Sequence, residues 1–326
     1  MKASVVVPAY NAENTIGNCL DSLVRQSISR SEYEIIVVDD GSTDATPEIV
    51  AQYGVRLIRQ PNRGPAAARN AGAQVARGEL LLFTDADCEP APDWIEMLCG
   101  AFADPSVAGA KGTYRTHQHG LVPRFVQVEY EEKYELMKRW KWIDFVDTYS
   151  AAYRRDLFLT HGGFDTRFPS ASVEDQEFSF RLAERGHRLI FVPRAIVYHQ
   201  HPPSLASYAR RKYFIGYWKM FLLLRHPSKA VTDSHTPQIL KIQVALIGLL
   251  ALSLLATLAD GVFWWAAASL AMLLLLSTLS FCLHAVRRDR SVALVAPFLL
   301  LVRAASLTVG LVVGCLALLV GYRLKP

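Results

Sequence analysis

Apolar residues follow two different rhythms along this chain. In roughly the first 200 positions they come in short blocks, Ser4 to Val7, Glu34 to Val38 and the run from Leu80 to Phe83, each ending in polar or glycine-containing residues. The first block runs into Pro8-Ala9-Tyr10-Asn11-Ala12-Glu13, the second into Asp39-Asp40-Gly41-Ser42-Thr43-Asp44, and the third into Thr84-Asp85-Ala86-Asp87. Between them lie helix-like stretches, among them Pro65 to Ala76 after Asn62-Arg63-Gly64. Strands alternating with helices predict βαβ units and a mostly parallel sheet, with ligands beyond the carboxyl ends of the strands. The polar tips therefore converge on one site.

From Ile239 onward the rhythm changes to long apolar runs, Ile239 to Ala259, Val262 to Leu283 and Val292 to Val320. Each is near or above the ~20 residues that cross a ~30 Å hydrocarbon core. Only Asp260 and Gly261 separate the first two, which predicts a hairpin; Arg287, Arg288 and Arg290 follow it. The positive-inside rule puts that basic loop in the cytoplasm together with the preceding domain, which carries Arg210, Arg211, Lys212 and Lys241. Pro297 and Arg303 interrupt the third run; we expect one tilted span from about Phe298 to Tyr322, with Arg323 and Lys325 beyond it, rather than a partly interfacial segment.

Between the two regions, Ser204 to Leu224 interleaves Tyr208, Tyr213, Phe214, Tyr217, Trp218 and Phe221 with Arg210, Arg211, Lys212 and Lys219. That pattern suits a helix in the headgroup plane, and it gives the net charge of +5 a membrane rather than a nucleic acid as its partner. Pro227 to Pro237 reads as a linker. At 326 residues, the chain divides into an α/β domain (1–203), an interfacial helix and linker (204–238), and an anchor of about three transmembrane helices (239–326). The five cysteines, at 19, 88, 99, 282 and 315, have no metal-ligand spacing and suit a reducing cytoplasm. Met1-Lys2-Ala3 leads straight into the first strand, so we expect no cleavable signal.

Several residues carry candidate chemistry. Asp85 and Asp87, delivered by a buried strand, suit a hard divalent cation shared with substrate phosphates. Asp40 can accept a hydrogen bond from a base N–H and Tyr10 can stack on the base, although Asp39, Asp40 and Asp44 could equally cap the following helix. Arg69 sits on an alanine-rich helix, where a lone arginine is ordinarily solvated. After Gly162-Gly163-Phe164-Asp165 comes Glu174-Asp175-Gln176-Glu177, the acidic opening of a helix that Gly186 stops. His199 ends a later apolar strand; a histidine there is otherwise a partner of a carboxylate or a carbonyl.

Taken together, Val-Val-Val-Pro-Ala-Tyr-Asn-Ala-Glu, Val-Val-Asp-Asp-Gly-Ser-Thr-Asp, Asn-Arg-Gly with Ala-Arg-Asn-Ala-Gly, and Thr-Asp-Ala-Asp resemble the family 2 glycosyltransferases of the GT-A fold, over about residues 1–225. The resemblance implies that Pro8, Tyr10, Glu13 and Asp40 border the nucleotide's base and ribose, that Arg69 lies near its phosphates, and that Asp85 and Asp87 hold Mn²⁺ or Mg²⁺. It further implies Asp175 as catalytic base and His199, ahead of His201, as a further metal ligand. No dinucleotide fingerprint or P-loop spacing competes with this reading.

The expected protein is an inverting glycosyltransferase at the cytoplasmic membrane face, moving a sugar from a nucleotide diphosphate sugar to a hydroxyl of a lipid or lipid-linked saccharide. Three alternatives remain: a polyprenyl-phosphate glycosyltransferase, whose acceptor needs no base; a processive polysaccharide synthase, against which the absence of a Gln-x-x-Arg-Trp segment counts; and a non-catalytic membrane-binding module.

Overall fold

A computed structural model describes residues 1–168 and 173–322, so Arg323 and Lys325 lie outside the described residues. Two compact units form, one from residues 1–117 and 137–200, the other from 118–136 and 201–322. The division is not the contiguous one expected from the sequence. The segment that changes sides is amphipathic: Phe125, Val126 and Val128 are buried in one apolar cluster with Tyr208, Phe281, Val292 and Leu299, which come from the C-terminal part of the chain.

In the first unit the order is β1 (Ala3–Ala9), α1 (Ile16–Val24), β2 (Tyr33–Asp39), α2 (Thr46–Ala51), β3 (Arg56–Arg59), α3 (Pro65–Val75), β4 (Leu80–Phe83), β5 (Cys88–Pro90), α4 (Trp94–Gly100) and β6 (Val107–Arg115). After α5 (Leu121–Met137), which lies mostly in the second unit, come β7 (Ala151–Arg154), α6 (Arg155–Thr160), α7 (Glu174–Glu184) and β8 (Arg188–His199). The described strands make one eight-stranded sheet in the order β3-β2-β1-β4-β7-β6-β8-β5. Pairings β3-β2, β2-β1, β1-β4 and β6-β8 are parallel, whereas β7 enters antiparallel between β4 and β6. β1 is buried along its whole length, as a central parallel strand covered on both faces must be. Strand β8 runs unbroken through Pro193, and a register shift against β6 between Lys111 and Thr113 accommodates the irregularity.

Small residues set the depth of α3. A Cβ on Gly72 would lie 2.4 Å from Val6 Cγ1, so the helix backbone rests directly on β1, and Ala66, Ala67, Ala68 and Ala73 are buried with it. That close seat also draws Arg69 inside.

In the second unit a reciprocal Ser204–Ser207 capping box starts α8 (Leu205–Arg225). Next come α9 (Gln238–Ala256), α10 (Phe263–Leu276), α11 (Leu279–Val286) and α12 (Arg290–Leu319). The stretches Gln238–Ala256, Phe263–Val286 and Arg290–Leu319 are long and apolar enough to cross a membrane. The third begins eight residues before the expected Phe298 and keeps Pro297 inside one helix. Arg303 faces protein, donating to Glu129 Oε1 of α5 and to Gln243 Oε1 of α9, each at 2.9 Å. Tyr208 OH and Lys212 Nζ of α8 bind the same glutamate at 3.0 and 3.3 Å.

Helix α8 does not stand alone as an interfacial helix; it runs beside α12 in the same direction. Cβ atoms added at Gly216 and Gly310 would lie 2.4 Å from Leu307 O and 2.1 Å from Tyr213 O, so glycines let the two backbones touch. Further along, the Phe221 and Tyr322 rings meet at 5.7 Å. Replacing Gly310 with leucine should overpack this crossing and cost about 1–3 kcal/mol, read as a lowered unfolding temperature of the detergent-solubilised chain; an unchanged transition would mean that the helices do not meet there.

Candidate active site

The first two polar tips are tied to each other. Asn11 Oδ1 accepts the Thr43 N–H at 2.9 Å, the Glu13 N–H donates to Asp44 Oδ2 at 3.1 Å, and Glu13 Oε2 accepts the Ala45 N–H at 3.1 Å. Asp44 also accepts the Thr46 N–H at 3.0 Å, a local turn ahead of α2, whose N-cap position is Ala45. Pro8 is buried in β1, and Tyr10 stands 52% exposed at its end, with its ring face available.

Asp40 is 3% exposed and heavily engaged: Gln60 Nε2 donates to Oδ1 at 2.6 Å, the Arg63 N–H to the same oxygen at 3.0 Å, and the Gly64 N–H to Oδ2 at 2.8 Å. Gly64 holds φ +86°, which an L side chain would resist, as the chain turns into α3. Asp40 thus fixes the Asn62-Arg63-Gly64 loop, and one lone-pair direction at most remains for a ligand.

Arg69 is where the structure departs furthest from a surface reading. It is 2% exposed and bridges two carboxylates, with Nη2 2.7 Å from Asp85 Oδ1 and Nη1 3.0 Å from Glu174 Oε1. The end of β4 and the start of α7, 89 positions apart in sequence by 174 minus 85, are thereby locked together.

The other half of the acidic pair meets β8. Antiparallel pairing of β5 with β8 puts Cys88 opposite His199, and His199 Nε2 lies 3.0 Å from Asp87 Oδ2. Asp87, Cys88 and His199 bring possible ligand atoms within 4.8 Å of one another. Burial, with Asp85 and Asp87 adding to it, pushes the Cys88 thiol well up, so it stays protonated and is a poor ligand. The Asp87 carboxylate and the His199 imidazole are left, donors that fit Mn²⁺ or Mg²⁺ better than a thiolate metal, while Asp85 stands two residues away with Oδ1 on Arg69. His201 is not part of this group: it lies in the second unit, 3.2 Å from Gln127 Oε1 and stacked on Tyr130.

Asp175 lies in the first turn of α7, where Oδ1 accepts the Gln176 N–H at 2.7 Å and Oδ2 the Thr148 N–H at 3.4 Å. Burial pushes its carboxyl up and the charge of Glu174 adds to this; Arg69 opposes both, and the carboxyl stands at about 7. It can therefore exchange a proton near neutral pH.

One element was missed in the sequence. The single turn Thr148–Ser150 supplies the Thr148 N–H to Asp175, and its Tyr149 ring stacks on Tyr114, which in turn stacks on His199 with centroids 4.8 Å apart. Lys111, fully buried in β6, pairs with Asp147 and donates to Tyr149 OH at 3.1 Å. A lysine amid the apolar and small residues of Val107–Arg115 was the available signal, because an amine rarely goes inside without an acid.

With this geometry established, similarity to known proteins identifies the class. Residues 4–162 match the profile of glycosyl transferase family 2, and the N-terminal domain of this chain is a family 2 glycosyltransferase domain of the GT-A fold. The chain is 30% identical over 236 residues to the pre-mycofactocin glycosyltransferase of Mycobacterium tuberculosis, covering 69% of this chain and 48% of that protein. It is 30% identical over 225 residues to the putative glycosyltransferase EpsH of Bacillus subtilis, covering 65% and 64% respectively. The chain thus spans about half the length of the first relative and under two thirds of the second. Among solved structures, the mannosyltransferase PcManGT from Pyrobaculum calidifontis, in complex with GDP-Man and Mn²⁺, shares the fold at a TM-score of 0.59 and 24% identity, over 96% of this chain and 87% of that one.

Replacing Arg69 with methionine leaves Asp85 and Glu174 facing each other with their shared cation gone. Removing one partner of a buried ion pair costs about 3–5 kcal/mol, so denaturant unfolding should shift by this amount; a loss below about 1 kcal/mol would show that solvent reaches the bridge.

Proposed function

We propose that this chain is an inverting, metal-dependent glycosyltransferase that moves a sugar from a nucleotide diphosphate sugar to a hydroxyl of a lipid or lipid-linked saccharide. The observation that carries the reading is Asp175, a carboxyl poised at about 7 and connected through Glu174 and Arg69 to the acidic pair that ends β4. The nucleotide's base and ribose would rest against Pro8, Tyr10, Glu13 and Asp40, at the carboxyl ends of β1 and β2. Arg69, already spanning two acids, would meet the phosphates only from the Asp85 side.

Asp175 takes the acceptor hydroxyl's proton as that oxygen forms its bond to the anomeric carbon. The bond from that carbon to the diphosphate oxygen breaks on the opposite face, which inverts the configuration. Asp85, Asp87 and His199 would hold the cation, which when bound stabilises charge on the departing diphosphate. Tyr114, stacked on His199, fixes the imidazole plane.

The second unit supports a membrane placement. Both ends of α5 continue into the catalytic unit, while Arg124 of α5 binds Asp289 and Glu131 binds Arg288 in the loop before α12. A hairpin of two spans would return the chain to the side it left, and the arginines at 287, 288 and 290 favour the cytoplasm as that side.

Asp175→Asn keeps size and most hydrogen bonding but cannot take a proton. With a hydroxyl acceptor its single-turnover rate should fall by about 10²–10⁴ while donor affinity, first assayed with GDP-mannose and Mn²⁺, hardly changes. A near-native rate removes the base and moves a phosphate acceptor, already ionised, to first place.

The pH profile offers an independent check. Because the carboxyl is raised to about 7 and acts when ionised, the wild-type rate should climb as pH rises through about 7 and level off above it. Glu174→Gln removes a charge that holds the carboxyl up, so the rising limb should move to lower pH. A rate that is flat from about pH 5 to 8, an interval above ordinary carboxylate values and centred near the raised Asp175 carboxyl, would exclude Asp175 as base.

A further inference from the structure

Between Met137, fully buried at the end of α5, and Ile143, 3% exposed and bonded to Leu189 O of β8 at 2.8 Å, the chain projects the five residues Lys138-Arg139-Trp140-Lys141-Trp142. Lys138, Arg139 and Lys141 are exposed, and Trp140 is 50% exposed, its backbone N–H donating to Met137 O at 3.0 Å. Lys141 Nζ and the Arg188 guanidinium both sit over the Trp142 ring, at 5.1 and 5.0 Å. The acids near them include Asp144, next in sequence to Ile143, and Asp104, whose carboxylate feels Arg188 and Lys141. Within 138–144 three cations stand against one acid, and the two buried anchors hold the projection in place.

We propose that this loop is a docking surface for the anionic headgroup layer of a lipid bilayer, with the Trp140 indole inserted at the level of the headgroups and the cations against lipid phosphates. Indole has an apolar body and a polar N–H, which suits the boundary between water and hydrocarbon, and lysines and arginines beside it match the negative leaflet. A bilayer is favoured over an acidic protein because the same chain carries three helices long and apolar enough to enter one. The proposal rests on the membrane reading given above.

The test uses the full chain reconstituted into phosphatidylcholine vesicles with and without phosphatidylglycerol, containing bromine-labelled phospholipids that quench tryptophan on contact. The difference in emission between wild type and Trp140→Phe isolates this one residue. We expect Trp140 emission to be quenched most in the anionic vesicles. Quenching should weaken in about 1 M salt, where the Debye length is about 3 Å, and in a Lys138→Gln, Arg139→Gln, Lys141→Gln variant. If the chain floats with the vesicles but Trp140 is indifferent to the bromines, the docking proposal falls while the anchor stands. Heparin altering Trp140 emission where bromolipid does not would assign the loop to a soluble polyanion and also overturn it. A chain that does not float overturns the membrane reading, and this proposal with it.

Discussion

Two acids and one arginine, of which Arg69 and Glu174 are buried and Asp85 is partly open to solvent, organise the catalytic unit. Arg69 could not be buried on its alanine-rich helix without partners, because an isolated guanidinium in a protein interior is far less stable than one in water. Its two carboxylates come from the end of β4 and the start of α7, so satisfying one charge fixes the distance between the strand that delivers Asp85 and the helix that delivers Asp175. The close seat of α3 on Val6, made possible by Gly72, forces Arg69 inward. A packing constraint far from the solvent thereby determines the electrostatics of the site.

The turn at Thr148–Ser150 does the same on the opposite side. Its backbone touches the proposed base, its Tyr149 ring reaches His199 through Tyr114, and the buried Lys111–Asp147 pair anchors it from below. Trp94 Nε1 bonds Ser150 Oγ at 2.8 Å, and that hydroxyl also meets Ala195 O, so α4 and β8 hold the turn as well. Proton transfer and diphosphate stabilisation would share one scaffold, and neither group could move far without the other.

Much of this was legible because strand ends are written locally. The apolar blocks before Pro8, Asp39 and Asp85 announced a mostly parallel sheet, and the three long runs after Ile239 announced helices long enough for a membrane. What escaped was information carried by pairs distant in sequence. Arg69 looks like a solvated residue until α3 is seated on β1. Lys111 stands out among the small and apolar residues of its strand, but nothing local points to Asp147 as its partner. Helix α8 has the composition of a headgroup helix, yet glycines at 216, 310 and 314, spread over two segments, give it a partner along its length. Asp40 has the residue type of a base contact, and its carboxylate is already largely taken up by the loop it shapes.

The grouping of α5 with the C-terminal helices bears on how the molecule is made. Glu129 and Arg303 are 174 residues apart, so α5 leaves the ribosome long before the later of its two cations, Arg303, joins Lys212. At about 5–20 residues per second, that interval is on the order of ten to thirty seconds. Through that period α5 also waits, apolar face uncovered, for Phe281, Val292 and Leu299. Completion of the second unit is therefore tied to synthesis of the last long helix. A nascent chain stalled before α12 would expose a greasy, acidic helix in the middle of its catalytic sequence, which makes it a ready substrate for chaperones and proteases.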